Sequence, residues 1–75
     1  MLPRRGELFQ LQESDVVLWS APGTGRHMLA CPQRGCLFVV LDFDDAAVFV
    51  AVDGQMGWLS LFWFDRANDA VRRLL

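Results

Sequence analysis

The dipeptide Asp53-Gly54 separates two apolar segments of strand length, AAVFVAV before it and WLSLFWF after it. An Asp-Gly pair between β-forming runs is a strong local signal for a hairpin, because Gly54 accepts the positive φ that a tight turn requires. Two further runs of β-forming residues precede it, DVVLWSAP and CLFVVLDF. No helical period lies between these runs, so four of them predict an antiparallel all-β fold.

The two ends of the chain follow different patterns. Residues 1–13 form an N-terminal lead-in, and we expect its apolar pair, Leu8 and Phe9, to dock on the body formed by residues 14–75. The tail DRANDAVRRLL changes to a helical period, with Asp65 suited to the N-cap. These features predict a short C-terminal helix after Phe64. The apolar face of that helix would comprise Ala67, Ala70, Val71 and Leu74.

Three landmarks in the middle of the chain resemble the bacterial Src-homology-3-like (SH3-like) domain family. They are Ser20-Ala21-Pro22 at a strand end, Gly35 at the close of a long loop, and Gly54-Gln55-Met56-Gly57-Trp58-Leu59. The resemblance implies a small SH3-like antiparallel barrel, and it leaves the lead-in and the C-terminal helix outside. Family members that bind peptidoglycan use exposed aromatics near the position of Ala47, so the resemblance implies the fold more strongly than the ligand.

Hydrophobic residues make up 53% of the chain, and six Phe with three Trp exceed what one small core uses. Strands alternate faces, and the alignment with the family gives an inward set of Phe38, Val40, Val48, Val50, Val52 and Leu59. The outward set is also apolar: Leu37, Val39, Ala47, Phe49, Ala51 and Leu61. Strands with two apolar faces are covered on both sides, and a short helix covers only part of one. We therefore predict a homo-oligomer interface that contains Leu37, Val39, Phe49, Leu61 and Trp63.

These features predict a non-enzymatic protein-interaction module whose simplest partner is a second copy of the chain. The alternative is a ligand-binding module of the bacterial SH3 type that recognises a cell-wall peptide or a small molecule. Its cleft would lie between the long loop that closes on Gly35 and the acidic turn formed by Asp42, Asp44 and Asp45. The candidate residues are Trp19, Asp44, Asp45 and Trp58. The acids of that turn are also typical of a solvated loop. A small oligomeric enzyme stays open as a third class, although no catalytic set is visible around the single histidine, His27.

Composition argues against several other functions. All seven basic residues are arginines scattered among nine acids, so nucleic-acid binding is not expected. Cys31, Cys36 and His27 lack the paired C-x-x-C spacing of a zinc site. We predict that both cysteines are plain thiols and that the chain holds no metal or cofactor. A zinc site and a disulfide are the alternatives. The segment APGTGRH lacks the Lys and hydroxyl of a P-loop. No apolar run approaches membrane-spanning length, and we expect a cytoplasmic protein if Met1 is the natural start.

Overall fold

The Asp53-Gly54 pair forms the predicted hairpin turn. The structure of the protein is a computed structural model that describes residues 2–75. Asp53 and Gly54 both have positive φ, 52° and 75°, as a two-residue type I′ turn requires. The turn joins the strands Ala47–Val52 and Gln55–Ser60, which pair from Val52 with Gln55 to Ala47 with Ser60.

Within residues 2–75, seven strands form one antiparallel sheet, which confirms the all-β prediction. The spatial order is β3-β2-β6-β5-β4-β1-β7. Within the described residues the edge strands β3 and β7 do not pair with each other, so the sheet is open where a closed barrel was expected. The strands are β1 (Leu8–Leu11), β2 (Leu18–Trp19), β3 (Met28–Ala30), β4 (Leu37–Phe43), β5 (Ala47–Val52), β6 (Gln55–Ser60) and β7 (Val71–Arg73).

The lead-in contributes a full strand to the sheet. β1 lies between β4 and β7, with Phe9 opposite Phe38 on one side and Arg73 on the other. Phe9 is completely buried, and its ring stacks on that of Phe38 with centroids 5.5 Å apart. The segment thus does more than dock on the body, because its alternate side chains fill the core.

The predicted strand WLSLFWF ends at Ser60, so the prediction is wrong for its last four residues. The Ser60 side chain accepts a hydrogen bond from the backbone N–H of Phe62, and Leu61–Phe64 forms a 3-10 turn. This turn carries Phe64 into the core, where its ring meets those of Phe9 and Phe38 edge to face. Phe64, one of the aromatic residues that exceed the needs of the predicted inward set, therefore belongs to the core.

The predicted C-terminal helix is also wrong, since the described residues 65–75 contain only a 3-10 turn, Arg66–Asn68, and then β7. Asp65 does cap, accepting a hydrogen bond from the N–H of Ala67, but it caps a single turn. Asp69 is left-handed (φ 49°), which stops helical propagation. The backbone after it pairs with β1, and Val71 is buried while Ala67 is exposed.

The core side of the sheet matches the predicted alternation, because all six residues assigned to the inward set are buried. Ala47 is an exception in the outward set, since it is buried at the start of β5. The 3-10 turn at Leu61 packs there, with the Leu61 N–H donating to the carbonyl of Ala46. Among residues 2–75, no helix is long and apolar enough to cross a membrane.

Candidate interaction surface

The strand register places a row of aromatic residues on the face of the sheet that points away from the core. Trp19 of β2 is opposite Trp58 of β6, and Trp58 is opposite Phe49 of β5. Residues directly opposite in an antiparallel pair lie on the same face, so the three side chains form one row across three strands. We call Trp19, Trp58 and Phe49 the aromatic row. The Phe49 and Trp58 rings are in contact, with centroids 5.0 Å apart.

A second row of apolar residues runs beside the first. Met56 of β6 is opposite Ala51 of β5, Ala51 is opposite Val39 of β4, and Val39 is opposite Leu8 of β1. Met56 is 60% exposed, while the other three are half-buried by their neighbours in the sheet. Leu37 lies two residues before Val39 on the same side and is 49% exposed. These residues and the aromatic row form the outward apolar face: Leu8, Trp19, Leu37, Val39, Phe49, Ala51, Met56 and Trp58.

Charges of opposite sign stand at the two ends of the aromatic row. At the β2 end, the Arg26 guanidinium lies over the Trp19 ring, 4.0 Å from its centroid. At the β4 end, Asp42 is opposite Phe49, and its Oδ1 accepts a hydrogen bond of 2.8 Å from Nη2 of Arg5. The backbone N–H of Phe43, and then Arg5, lower the pKa of Asp42 below its ordinary value, so this carboxylate stays ionised in its ion pair with Arg5.

The predicted interface residues fall into two groups in the structure. Leu37, Val39 and Phe49 lie on the outward apolar face. Leu61 and Trp63 lie in the 3-10 turn and pack against the buried core, and the Trp63 ring also contacts that of Phe62. The structure therefore separates the aromatics of WLSLFWF, with Trp58 on the outward apolar face and Phe64 in the core.

The predicted cleft residues are also divided. Trp19 and Trp58 are register partners on the outward apolar face. Asp44 instead lines a groove of about 590 Å³ formed with Leu2, Pro3, Arg4, Phe43 and Leu61. Its Oδ1 accepts hydrogen bonds from the backbone N–H groups of Ala46 and Ala47, both at 2.8 Å, which is a turn-forming role. Asp45 is exposed in the same turn.

The two thiols have different surroundings. Cys31 is exposed, with its Sγ 3.8 Å from the Met28 Sδ. Cys36 is half-buried and lies 3.3 Å from Asp53 Oδ2; burial, and then the hydrogen bond to Asp53, raise the pKa of the Cys36 thiol above its ordinary value. Both cysteines are free, and residues 2–75 contain no cluster of three or more His, Cys, Asp or Glu side chains placed to hold a metal ion.

Three contributors to this surface were missed in the sequence: Arg26, Met56 and Leu8. Met56 follows from strand alternation, because Leu59 and Gly57 point inward and Met56 and Trp58 must then point outward. Leu8 was assigned to a lead-in and so was not given a strand face. Nothing in the spacing of residues 20–30 indicates that Arg26 folds back over Trp19.

Comparisons with protein-family models, with curated proteins and with solved structures find no match for this chain.

Proposed function

We propose that this chain is a non-enzymatic protein-interaction module that binds through its outward apolar face, most simply to a second copy of itself. The observation that carries the proposal is the continuity of that face, in which two adjacent apolar rows cross the sheet. It combines two exposed side chains, Leu37 at 49% and Met56 at 60%, with the half-buried rings of the aromatic row. Contiguous exposed apolar patches that are rimmed by polar residues often mark interaction sites.

The distribution of side chains within the face supports binding to protein. Aromatic and methionine side chains are enriched at the centres of protein interfaces, where they supply much of the binding energy. Here Phe49 and Trp58 lie in mutual contact at the middle of the sheet, and Met56 is beside them. The charged groups, Arg26 and Asp42, lie at the ends of the aromatic row. An apolar centre with a charged periphery is the usual composition of such an interface.

We also propose that the open sheet is a variant of the SH3-like barrel. The landmarks of the resemblance support this, since Ser20-Ala21-Pro22 directly follows β2, and Gly35, with a φ of 97°, lies in the turn two residues before β4. The stretch Gly54–Leu59 spans the turn and most of β6. The proposal places the module in the cytoplasm, where the free thiols of Cys31 and Cys36 would stay reduced.

The test is sedimentation equilibrium of the full chain at tens of micromolar. We expect the wild type to associate and Phe49→Lys to be a folded monomer, because an outward lysine suits a solvated sheet but not a buried contact. The matched control is Phe62→Lys, which adds the same charge at an exposed aromatic in the 3-10 turn, away from the face. It should associate as the wild type does. A monomeric wild type, or equal dissociation of both variants, would contradict the proposal.

The ligand-binding alternative uses the same face, and the stacking of Arg26 on Trp19 beside Trp58 favours it over a site elsewhere. Two adjacent indoles near a guanidinium suit an aromatic or anionic small molecule or a cell-wall peptide. A wild-type monomer that binds muropeptide in calorimetry, and loses that binding in Trp58→Ala, would favour this function over self-association.

A further inference from the structure

We infer that two copies of the chain pair face to face about a two-fold axis, so that Arg26 of each copy lies opposite Asp42 of the partner subunit. The inference rests on the proposed self-association and specifies its geometry. It follows from the order of groups along one row of the outward apolar face. Arg26 stands over Trp19 at one end, Trp58 and Phe49 follow, and Asp42 ends the row.

The row is self-complementary under a two-fold rotation. In an interface between identical faces, if residue i contacts residue j, then j contacts i. A two-fold axis that runs parallel to the strands, midway between β5 and β6 and between the two sheets, reverses the order of the row in the partner subunit. Trp58 then lies on Phe49 of the partner subunit, and the Arg26 end of each copy lies over the Asp42 end of the other. Attraction then occurs twice in each dimer. The apolar centre of one copy also meets the apolar centre of the other.

The spacing of the strands suits this pairing. The strands β2, β6, β5 and β4 are consecutive in the sheet, and neighbouring strands lie about 4.8 Å apart. The two ends of the row are thus separated by roughly 14 Å, three strand spacings, which is too far for a direct ion pair within one chain. The Arg5 hydrogen bonds occupy Oδ1 of Asp42. An ionised carboxylate has about four acceptor sites on its two oxygens, so a second guanidinium can be accommodated.

The charges also argue for a second copy over other proteins. A uniformly acidic partner would offer no cation to Asp42, and a uniformly basic partner would offer no carboxylate to Arg26. An interface confined to one face of a 75-residue domain is small, so we expect the apolar contact to give a modest affinity. The charged ends then select one orientation among those that the apolar centre permits.

The test is charge reversal with mixing, measured by sedimentation equilibrium at low salt. Arg26→Glu alone sets two carboxylates against each other at both contacts, and Asp42→Arg alone sets two guanidinium groups against each other, so each variant should weaken association by roughly tenfold or more. An equimolar mixture of the two variants forms heterodimers in which one contact joins the introduced carboxylate to the introduced guanidinium and the other joins the native pair. It should therefore associate to within about threefold of the wild type. Arg66→Glu, an exposed charge reversal in the second 3-10 turn, should leave association unchanged.

The outcomes separate the geometry from the proposal on which it rests. A monomeric wild type overturns both. If Phe49→Lys dissociates the protein but Arg26→Glu does not, or if the mixture fails to recover, the face is an interface and this pairing is wrong. Because Asp42 also accepts hydrogen bonds from the Phe43 N–H and from Arg5, and an arginine there would repel Arg5, circular dichroism must show that Asp42→Arg is folded. If Asp42→Arg is unfolded, Arg26→Glu alone tests the pairing. Unchanged association of Arg26→Glu overturns the inference, and weakened association at low salt supports it.

Discussion

Gly57 in β6 lies against Leu18 in β2 so closely that a Cβ on Gly57 would stand 2.6 Å from Leu18 Cγ. The same Cβ would be 3.0 Å from the carbonyl oxygen of Trp19, a backbone atom that cannot rotate away. β2 has only two residues, and Trp19 pairs with Trp58 next to this contact. The absence of a side chain at position 57 therefore lets β2 approach the sheet and places Trp19 on the outward apolar face.

Gly57→Ala should lower the free energy of unfolding by about 1–3 kcal/mol, since the added methyl group overpacks a site bounded by backbone. Urea denaturation followed by tryptophan fluorescence measures the change. Gly23→Ala is the control, because a Cβ there meets no atom within 4 Å and its φ is not in the strained positive range. Equal stability of the two variants would show that β2 can move away from β6 at little cost.

Phe9→Ala should cost about 3–5 kcal/mol, the usual loss for a buried phenylalanine and a large part of the stability of a small domain. The Phe9 ring packs on Phe38 and Phe64, both buried. Gln10→Ala is the matched control on the same strand, because Gln10 points to the other face of β1. Thermal denaturation of both variants compares them. A mild Phe9→Ala effect would mean that the N-terminal segment is dispensable.

Asp44→Ala should destabilise the fold by about 1–2 kcal/mol, because its carboxylate accepts two backbone hydrogen bonds in the turn between β4 and β5. Asp45→Ala removes the same charge from the adjacent exposed position and should change stability by less than about 0.5 kcal/mol. Chemical denaturation of the pair distinguishes a turn residue from a ligand-binding one. If the two variants are equally stable, the hydrogen bonds of Asp44 are not important for the turn.

Stability should fall as the pH rises above 9.0, the ordinary pKa of the Cys36 thiol, because burial and Asp53 raise that pKa in the folded protein. Above pH 9.0 the unfolded chain loses this proton while the folded chain keeps it, so the unfolded state is favoured until the folded pKa is passed. The chain has no lysine or tyrosine to titrate in the same range. Urea denaturation between about pH 8 and 10.5 should show a smaller fall in Cys36→Ala than in Cys31→Ala, which keeps the Cys36 thiol. Parallel curves for the two variants would remove Cys36 as the cause.

The central strands could be predicted from sequence because period-2 alternation and the Asp53-Gly54 turn are local signals. Alternation separates the two faces of each strand, and the alignment with the SH3-like family indicates which face holds the inward set from Phe38 to Leu59. The packing role of Gly57 could not be predicted in the same way, because Gly57 makes room for Leu18 of another strand. The spacing of residues along the chain carries little information about which strands are neighbours.

The ends of the chain were mispredicted for a related reason. The period of Ala67, Ala70, Val71 and Leu74 fits a helix, but tertiary pairing overrides so weak a local preference. β7 forms because the backbone of residues 71–73 pairs with the free edge of β1. Next to this pairing, the Gln12 N–H donates a hydrogen bond to the carbonyl of Ala70. The aromatic row has the same origin, since Trp19 and Trp58 are distant in sequence and become neighbours only through the β2–β6 pairing.

The pairing of β1 with β7 has a consequence for the order of folding. β4, β5 and β6 are consecutive in both sequence and space, whereas β1 and β7 come from opposite ends of the chain. Closing the long loop between those ends costs entropy that only already-formed structure can offset. We therefore expect the three-strand meander to be largely formed in the transition state, and the two terminal strands to join afterwards. In stopped-flow kinetics, Val50→Ala should mainly slow folding and Val71→Ala should mainly speed unfolding; the reverse assignment would mean that the chain ends meet first.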